Sequence, residues 1–199
     1  MKTLLLVAVL FVSLVSGGCS SKRSEAEWKE GTIGWKFNYP ANWSIMTEAE
    51  IEELEGKARG TVEEVVGGKL EELHQNVLYL RKNPFNLFTS TIQGYDPATD
   101  GPYDELQSEL FEVYLETYRT AGISFEHETG TATVDGLEFQ TMSVTIHKPG
   151  TKEVLMHQLM FDRLFGGKTS LLMSLNWNNE KNRAALQGIL DSSSFSIRD

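Results

Sequence analysis

Few side chains in this sequence have the type and spacing to do chemistry. The densest group is YDPATDGPYDE at 95–105, where Asp96, Asp100, Asp104 and Glu105 stand among turn formers. Carboxylate oxygens suit calcium, but the alternate-residue ligand spacing of an EF-hand is missing. Negative charge ahead of a helix, which the helix dipole favours, accounts for the same residues. Asp96, Asp100 and Asp104 are the positions to consider for a cation, with capping as the expected role and no metal assigned. DRLFGGKT at 162–169 approaches a phosphate-binding loop. That loop needs a glycine where Asp162 stands and a helix afterwards, whereas a strand is expected here, so Gly166 and Gly167 read as a hairpin turn. The histidines form no ligand pattern. A hairpin closed at Pro149 and Gly150 sets His147 opposite Glu153 and His157 opposite Ser143, roughly 13 Å apart along the ladder, too far to share an ion. His127 reaches these strands or misses them according to register. Neither G-x-S-x-G nor H-E-x-x-H occurs. No catalytic residue is assigned, the chain is read as non-enzymatic, and no cofactor is expected.

The one cysteine, Cys19, follows a distinctive leader. Lys2 gives a positive start, residues 4–15 are almost wholly apolar, and Ser16, Gly17 and Gly18 are small. About a dozen apolar residues fit the core of a secretory signal and fall short of a permanent membrane span. With Cys19 directly behind the small residues, the segment resembles the lipobox of bacterial lipoproteins, whose cysteine is acylated after the signal peptide is removed. The match departs from the pattern at Ser16, where a Leu, Val or Ile is usual, and Ser16, Gly17 and Gly18 would also suit an ordinary signal peptidase. The resemblance implies a signal peptide at 1–18, lipidation at Cys19 and, from Ser20 behind it, sorting to the periplasmic side of the outer membrane in a two-membrane cell. Beyond Cys19 no disulfide can staple the fold and no thiolate can act as nucleophile.

The elements that must position everything else occupy the rest of the 199 residues. Residues 19–33 are expected to be a lipidated flexible tether, since SSKRSEAE has nothing to bury. A strand is expected at 35–39 and another at 43–46. The stretch 47–75 is helical, opened by a Thr47/Glu50 capping box and divided by glycines into at least two helices, with its many glutamates on a solvated face. Strands at 76–80 and 87–95 precede a strong helix at 102–121, in which Tyr103, Leu106, Leu110, Val113, Tyr114, Thr117 and Tyr118 recur at helical spacing and Gly122 marks the stop. Four strands then follow at 123–134, 137–147, 154–165 and 168–177. Asp135-Gly136 is a two-residue turn of the kind that matches strand twist, and the apolar character of 154–165 at odd and even positions suggests cover on both faces. A helix at 179–190 and an edge segment at 194–197 close a single α+β domain, an antiparallel sheet sandwiched between helices over 34–199.

That succession resembles the PsbP-like family, the α/β/α fold of photosystem II PsbP and of DcrB-like bacterial lipoproteins. The resemblance rests on Phe37-Asn38-Tyr39-Pro40-Ala41-Asn42-Trp43, on Val134-Asp135-Gly136-Leu137, on Gly167-Lys168, and on the run from Ile189 to Ile197. Each motif has a folding reason: Pro40 ends a strand, Trp43 fills a core, Gly136 makes a turn. The resemblance therefore implies a fold, and by analogy a protein-binding role.

Net charge bounds the partners. The chain carries −10 at neutral pH, and excision of a leader holding Lys2 and no acid makes it one unit more negative. Such a surface repels phosphate backbones, so no nucleic acid is expected. The expectation is a membrane-tethered, extracytoplasmic interaction or assembly module whose partner is an envelope protein. The alternative is a small-ligand or metal-ion-binding lipoprotein with a groove lined by Trp35, Trp43 or Trp177.

Overall fold

The computed structural model describes residues 25–67 and 74–197. The leader, Cys19 and the first part of the expected tether lie outside the described residues. In chain order the elements are β1 (Ala26–Glu30), β2 (Trp35–Tyr39), β3 (Ser44–Ile45), α1 (Glu48–Val66), β4 (His74–Asn83), β5 (Asn86–Gly94), α2 (Pro97–Asp100), α3 (Tyr103–Thr120), β6 (Phe125–Val134), β7 (Leu137–His147), β8 (Val154–Phe165), β9 (Thr169–Trp177), α4 (Glu180–Ser192) and β10 (Ser194–Phe195).

Seven strands form one antiparallel sheet in the order β3-β4-β5-β9-β8-β7-β6. After β5 the chain leaves the middle of this sheet, and α3 returns it to the far edge. From there β6, β7, β8 and β9 meander inward until β9 pairs with β5. Loops of two, six and three residues join β6 to β7, β7 to β8 and β8 to β9. At the first, Asp135 and Gly136 have φ of 51° and 75°, the left-handed pair that a twist-matched hairpin requires.

Both faces of the sheet are covered, and period-two alternation decides which side chains go where. On one face α1 and α3 pack Val62, Phe111, Tyr114, Leu115 and Tyr118 against Met142, Val144, Ile146, Met156 and Met160. On the other, Leu186 and Ile189 of α4 join Trp35, Phe37 and Phe195 over Leu80, Phe88, Phe139, Phe161 and Phe165. Met156 and Met160 face one layer while Phe161 and Phe165 face the other, so β8 is covered on both sides as its sequence suggested.

Four expectations need correction. The second covering layer is not helical alone: β1, β2 and β10 form a three-stranded sheet beside α4. Its strands are short and come from opposite ends of the chain, which hides them from local pattern reading. The folded unit also begins before residue 34. Ala26–Glu30 pairs with β2 from Ala26↔Tyr39 to Glu30↔Trp35, Trp28 packs on the core, and the Glu30 carboxylate accepts the Thr32 and Ile33 amides at 2.5 and 3.0 Å. One tryptophan and a full ladder outweigh the polar composition. Third, Glu48–Val66 is one helix that runs through Gly56 and Gly60 and stops at Gly67, φ 67°. Glycine costs about 1 kcal/mol inside a helix, and packing of Ile51 and Leu54 around Met46, Tyr79 and Leu87 opposes that loss. Glu55 on this helix is buried and accepts the Tyr79 hydroxyl at 2.8 Å, unlike its solvated neighbours. Fourth, the β7–β8 register runs two places from the expected one: His157 lies opposite Thr145, and a bulge sets His147 opposite Val154.

Candidate functional site

The most concentrated polar chemistry among the described residues lies on the helical face of the central strands. β8 presents alternate residues to that face, so Gln158 and Asp162, alternating with Met156 and Met160, point toward α3. Asp162 stands opposite Leu172, one alternate position from Ser170. In α3, Tyr103 and Gln107 are four residues apart and share one face of the helix. The two geometries converge on the Asp162 carboxylate. The Tyr103 hydroxyl lies 2.9 and 2.8 Å from its two oxygens, Gln107 Nε2 donates at 2.7 Å and Ser170 Oγ donates at 2.9 Å. Tyr103 is also 2.9 Å from Ser170 Oγ.

Asp162 is 2% exposed. Burial pushes its carboxyl above the usual aspartate range, against the opposing pull of the donors Tyr103, Gln107, Ser170 and the backbone amide of Arg163. Burial and the neighbouring Asp162 charge likewise raise the Tyr103 phenol, so it stays a neutral donor. The cavity beside the cluster, bounded by Gln93, Tyr95, Tyr103, Gln107, Leu110 and Ser170, has a volume of about 30 Å³, room for one or two waters. The arrangement can hold a proton and fasten α3 to the sheet, because each donor already meets an acceptor. A second polar chain runs alongside: the Tyr118 hydroxyl donates to Gln158 Oε1, Gln158 Nε2 donates to Ser174 Oγ at 2.8 Å and Asn176 Nδ2 to the same oxygen at 3.3 Å.

The structure distributes the residues singled out in the sequence. Asp96 caps α2 by accepting the Ala98 amide at 2.9 Å, and Asp100 accepts the Asp96 amide at 2.8 Å. Asp104 sits in the first turn of α3. The 95–105 carboxylates thus serve local turns and helix starts, and among the described residues no group of three or more His, Cys, Asp or Glu is arranged to hold a metal. Gly166 and Gly167, φ 55° and 65°, make the hairpin turn into β9. His157 stacks on Trp177 at 5.5 Å and its Nδ1 is 3.2 Å from Thr145 Oγ1. His147 lies 3.7 Å from Glu126, and His127 on β6 pairs with Val144 of β7. Trp35 and Trp43 are core residues, with Trp177 packed against that core. In the sequence Asp162 stands out only as the residue that spoils a phosphate loop. Its signal there is a polar residue alternating with Gln158 and two methionines inside a mostly apolar strand.

No protein-family model matches the sequence, and no curated protein matches it. Among solved structures the backbone is similar to the solution structure of cyanobacterial PsbP (CyanoP) from Synechocystis sp. PCC 6803. The TM-score is 0.52 at 12% identity, over 92% of this chain and 98% of that one. The fold is α+β and PsbP-like. At that identity the PsbP likeness speaks for architecture alone, and the PsbP-like layers are what bring α3 onto Asp162. Among the described residues no helix is long and apolar enough to cross a membrane.

Proposed function

We propose that this chain is an exported bacterial lipoprotein, acylated at Cys19, whose PsbP-like domain acts on the extracytoplasmic side of a membrane as a non-enzymatic interaction or assembly module. The observation that carries the reading is the placement of the sole cysteine, directly behind an apolar leader and seven residues ahead of the first strand at Ala26. An extended chain of that length reaches only about 25 Å. The anchor would hold the β1–β2–β10 side of the domain close to the lipid surface. A chain with net charge −10 gains nothing from anionic head groups, so the acyl chains, at about 0.8 kcal/mol per buried methylene, supply the membrane affinity.

The interior chemistry supports a structural reading of the domain. Asp162 accepts from Tyr103, Gln107 and Ser170 at once, which suits a fastening more than an attack on substrate. Fractionation of cells producing the natural protein and Cys19→Ala, combined with photo-crosslinking from exposed domain positions, tests the proposal. Natural protein that pellets with membranes and forms a discrete, saturable adduct, with Cys19→Ala released in soluble form outside the cytoplasm, is the expected result. Natural protein recovered from the cytosol, or crosslinks that spread without saturating, would refute it.

A further inference from the structure

β6 is the outer strand of the seven-stranded sheet. It is paired with β7 over ten consecutive residues without a bulge, and residues 126–131 are all exposed. The opposite end of the sheet is different, because β4 is partly covered there by β3. Long, regular edges are normally blunted by charged side chains, lysine above all, by proline or by a bulge; FEHETGTATV has no lysine, proline or bulge, and its charged residues are the acids Glu126 and Glu128.

The phase of the ladder fixes which groups face outward. The His147 amide donates to the Ser124 carbonyl at 2.9 Å, and antiparallel pairs alternate between bonded and unbonded. Counting along the unbroken register, residues 126, 128, 130, 132 and 134 bond to β7. The N–H and C=O groups of Phe125, His127, Thr129, Thr131 and Thr133 therefore point away from the sheet, where no described strand meets them.

Charge selects what can add there. Glu126 and Glu128 lie two residues apart on the same face, and the Glu126 side chain is 82% exposed. Cross-strand neighbours of opposite charge stabilise such a pairing and like charges oppose it. A second copy of this chain brings another β6 with the same two acids and another net −10, which disfavours self-pairing.

We infer that the outer edge of β6 receives an extended basic segment of a partner protein, with lysine or arginine at alternate positions opposite Glu126 and Glu128, as an added strand. Main-chain bonds to the odd-numbered residues give affinity and the two glutamates give selectivity. This inference rests on the interaction reading above and names the surface and the chemistry of its partner.

The test uses the full-length protein in detergent and two nine-residue peptides, one alternating lysine with threonine and valine, the other with glutamate in place of each lysine. Hydrogen–deuterium exchange at single-residue resolution reads the outcome. The basic peptide is expected to protect the amides of His127, Thr129 and Thr131, and the acidic one is not. Thr129→Pro removes one outward N–H, leaves the β7 ladder intact, and is expected to abolish protection without changing the melting curve. Glu126→Lys with Glu128→Lys is expected to weaken the basic peptide by roughly tenfold and favour the acidic one. Binding that survives Thr129→Pro, protection on the helical layer instead, or concentration-dependent pairing of β6 with itself overturns the assignment. Specific envelope crosslinks with no peptide protection at β6 overturn this edge and leave the interaction reading standing. Edge protection with no saturable envelope adduct does the reverse.

Discussion

Tyr103→Phe removes one hydroxyl and keeps the ring, yet it should report on the protonation of a buried acid 59 residues away in sequence. That hydroxyl meets both oxygens of Asp162 at 2.9 and 2.8 Å, and it is among the donors that pull the carboxyl down against burial. Asp162 stays raised in the folded state, above the unfolded value near 3.9. The stability it contributes is therefore complete below that value and is lost as pH rises through the higher folded one. Without Tyr103 the carboxylate form loses a bond to a charged acceptor, about 1.5–3 kcal/mol, while the protonated form loses a neutral one, about 0.5–1.5 kcal/mol. Tyr103→Phe should accordingly cost about 1–2 kcal/mol more at a pH above the raised folded value, where the carboxyl is ionised, than at a pH below the unfolded one, where it is protonated. In urea, with a slope of about 2 kcal/mol/M, the midpoint should fall further at the higher pH by about 0.5–1 M. Asp162→Asn deletes the charge, so the same substitution in that background should cost about 1 kcal/mol or less at both pH values. Equal losses in the natural background at the two pH values, or a larger loss in acid, would refute the claim that Tyr103 supports a buried carboxylate.

Gly34→Ala should destabilise the domain by about 2–3 kcal/mol, because its φ is 63° and the new Cβ would stand 1.7 Å from Ser196 Oγ. Adding Ser196→Gly should recover the steric part and leave about 1 kcal/mol, measured by urea unfolding of both variants. Thr47→Ala should cost about 1 kcal/mol at pH 7. The Thr47 hydroxyl and amide bond reciprocally with Glu50, and these bonds hold the Glu50 carboxyl below the usual glutamate range. A depressed carboxyl stabilises above its unfolded value and ceases to as pH falls through the folded one. The gap between the two thermal melts should therefore narrow in strong acid.

The elements legible in the sequence are those whose cause is local. The Asp135-Gly136 hairpin, the Thr47/Glu50 box and the spacing in α3 each carry their reason within a few residues, and the structure forms all three. α3 buries Gln107, Phe111, Tyr114, Leu115, Thr117 and Tyr118, a stripe turned slightly from the expected one, with Gln107 bonded to Asp162. What the sequence conceals is tertiary. β1 holds a single large apolar residue, and its pairing with β2 becomes evident only once Trp28 meets the core. The partners of Asp162 arrive from α3, 55 and 59 residues earlier, so no window along the chain contains the site. Gly34 looks like an ordinary loop glycine until the C-terminal strand places Ser196 against it. The outward phase of β6 likewise needs one long-range bond, from His147 to Ser124, before it can be counted.

Intact-mass measurement of the protein purified from its native membranes tests the lipid anchor most directly. A product that begins at Cys19 and carries the added mass of a diacylglycerol and, where the cell supplies it, a further acyl chain is the result expected here. A product that retains residues 1–18, or one that begins near Cys19 with an unmodified thiol, would contradict it.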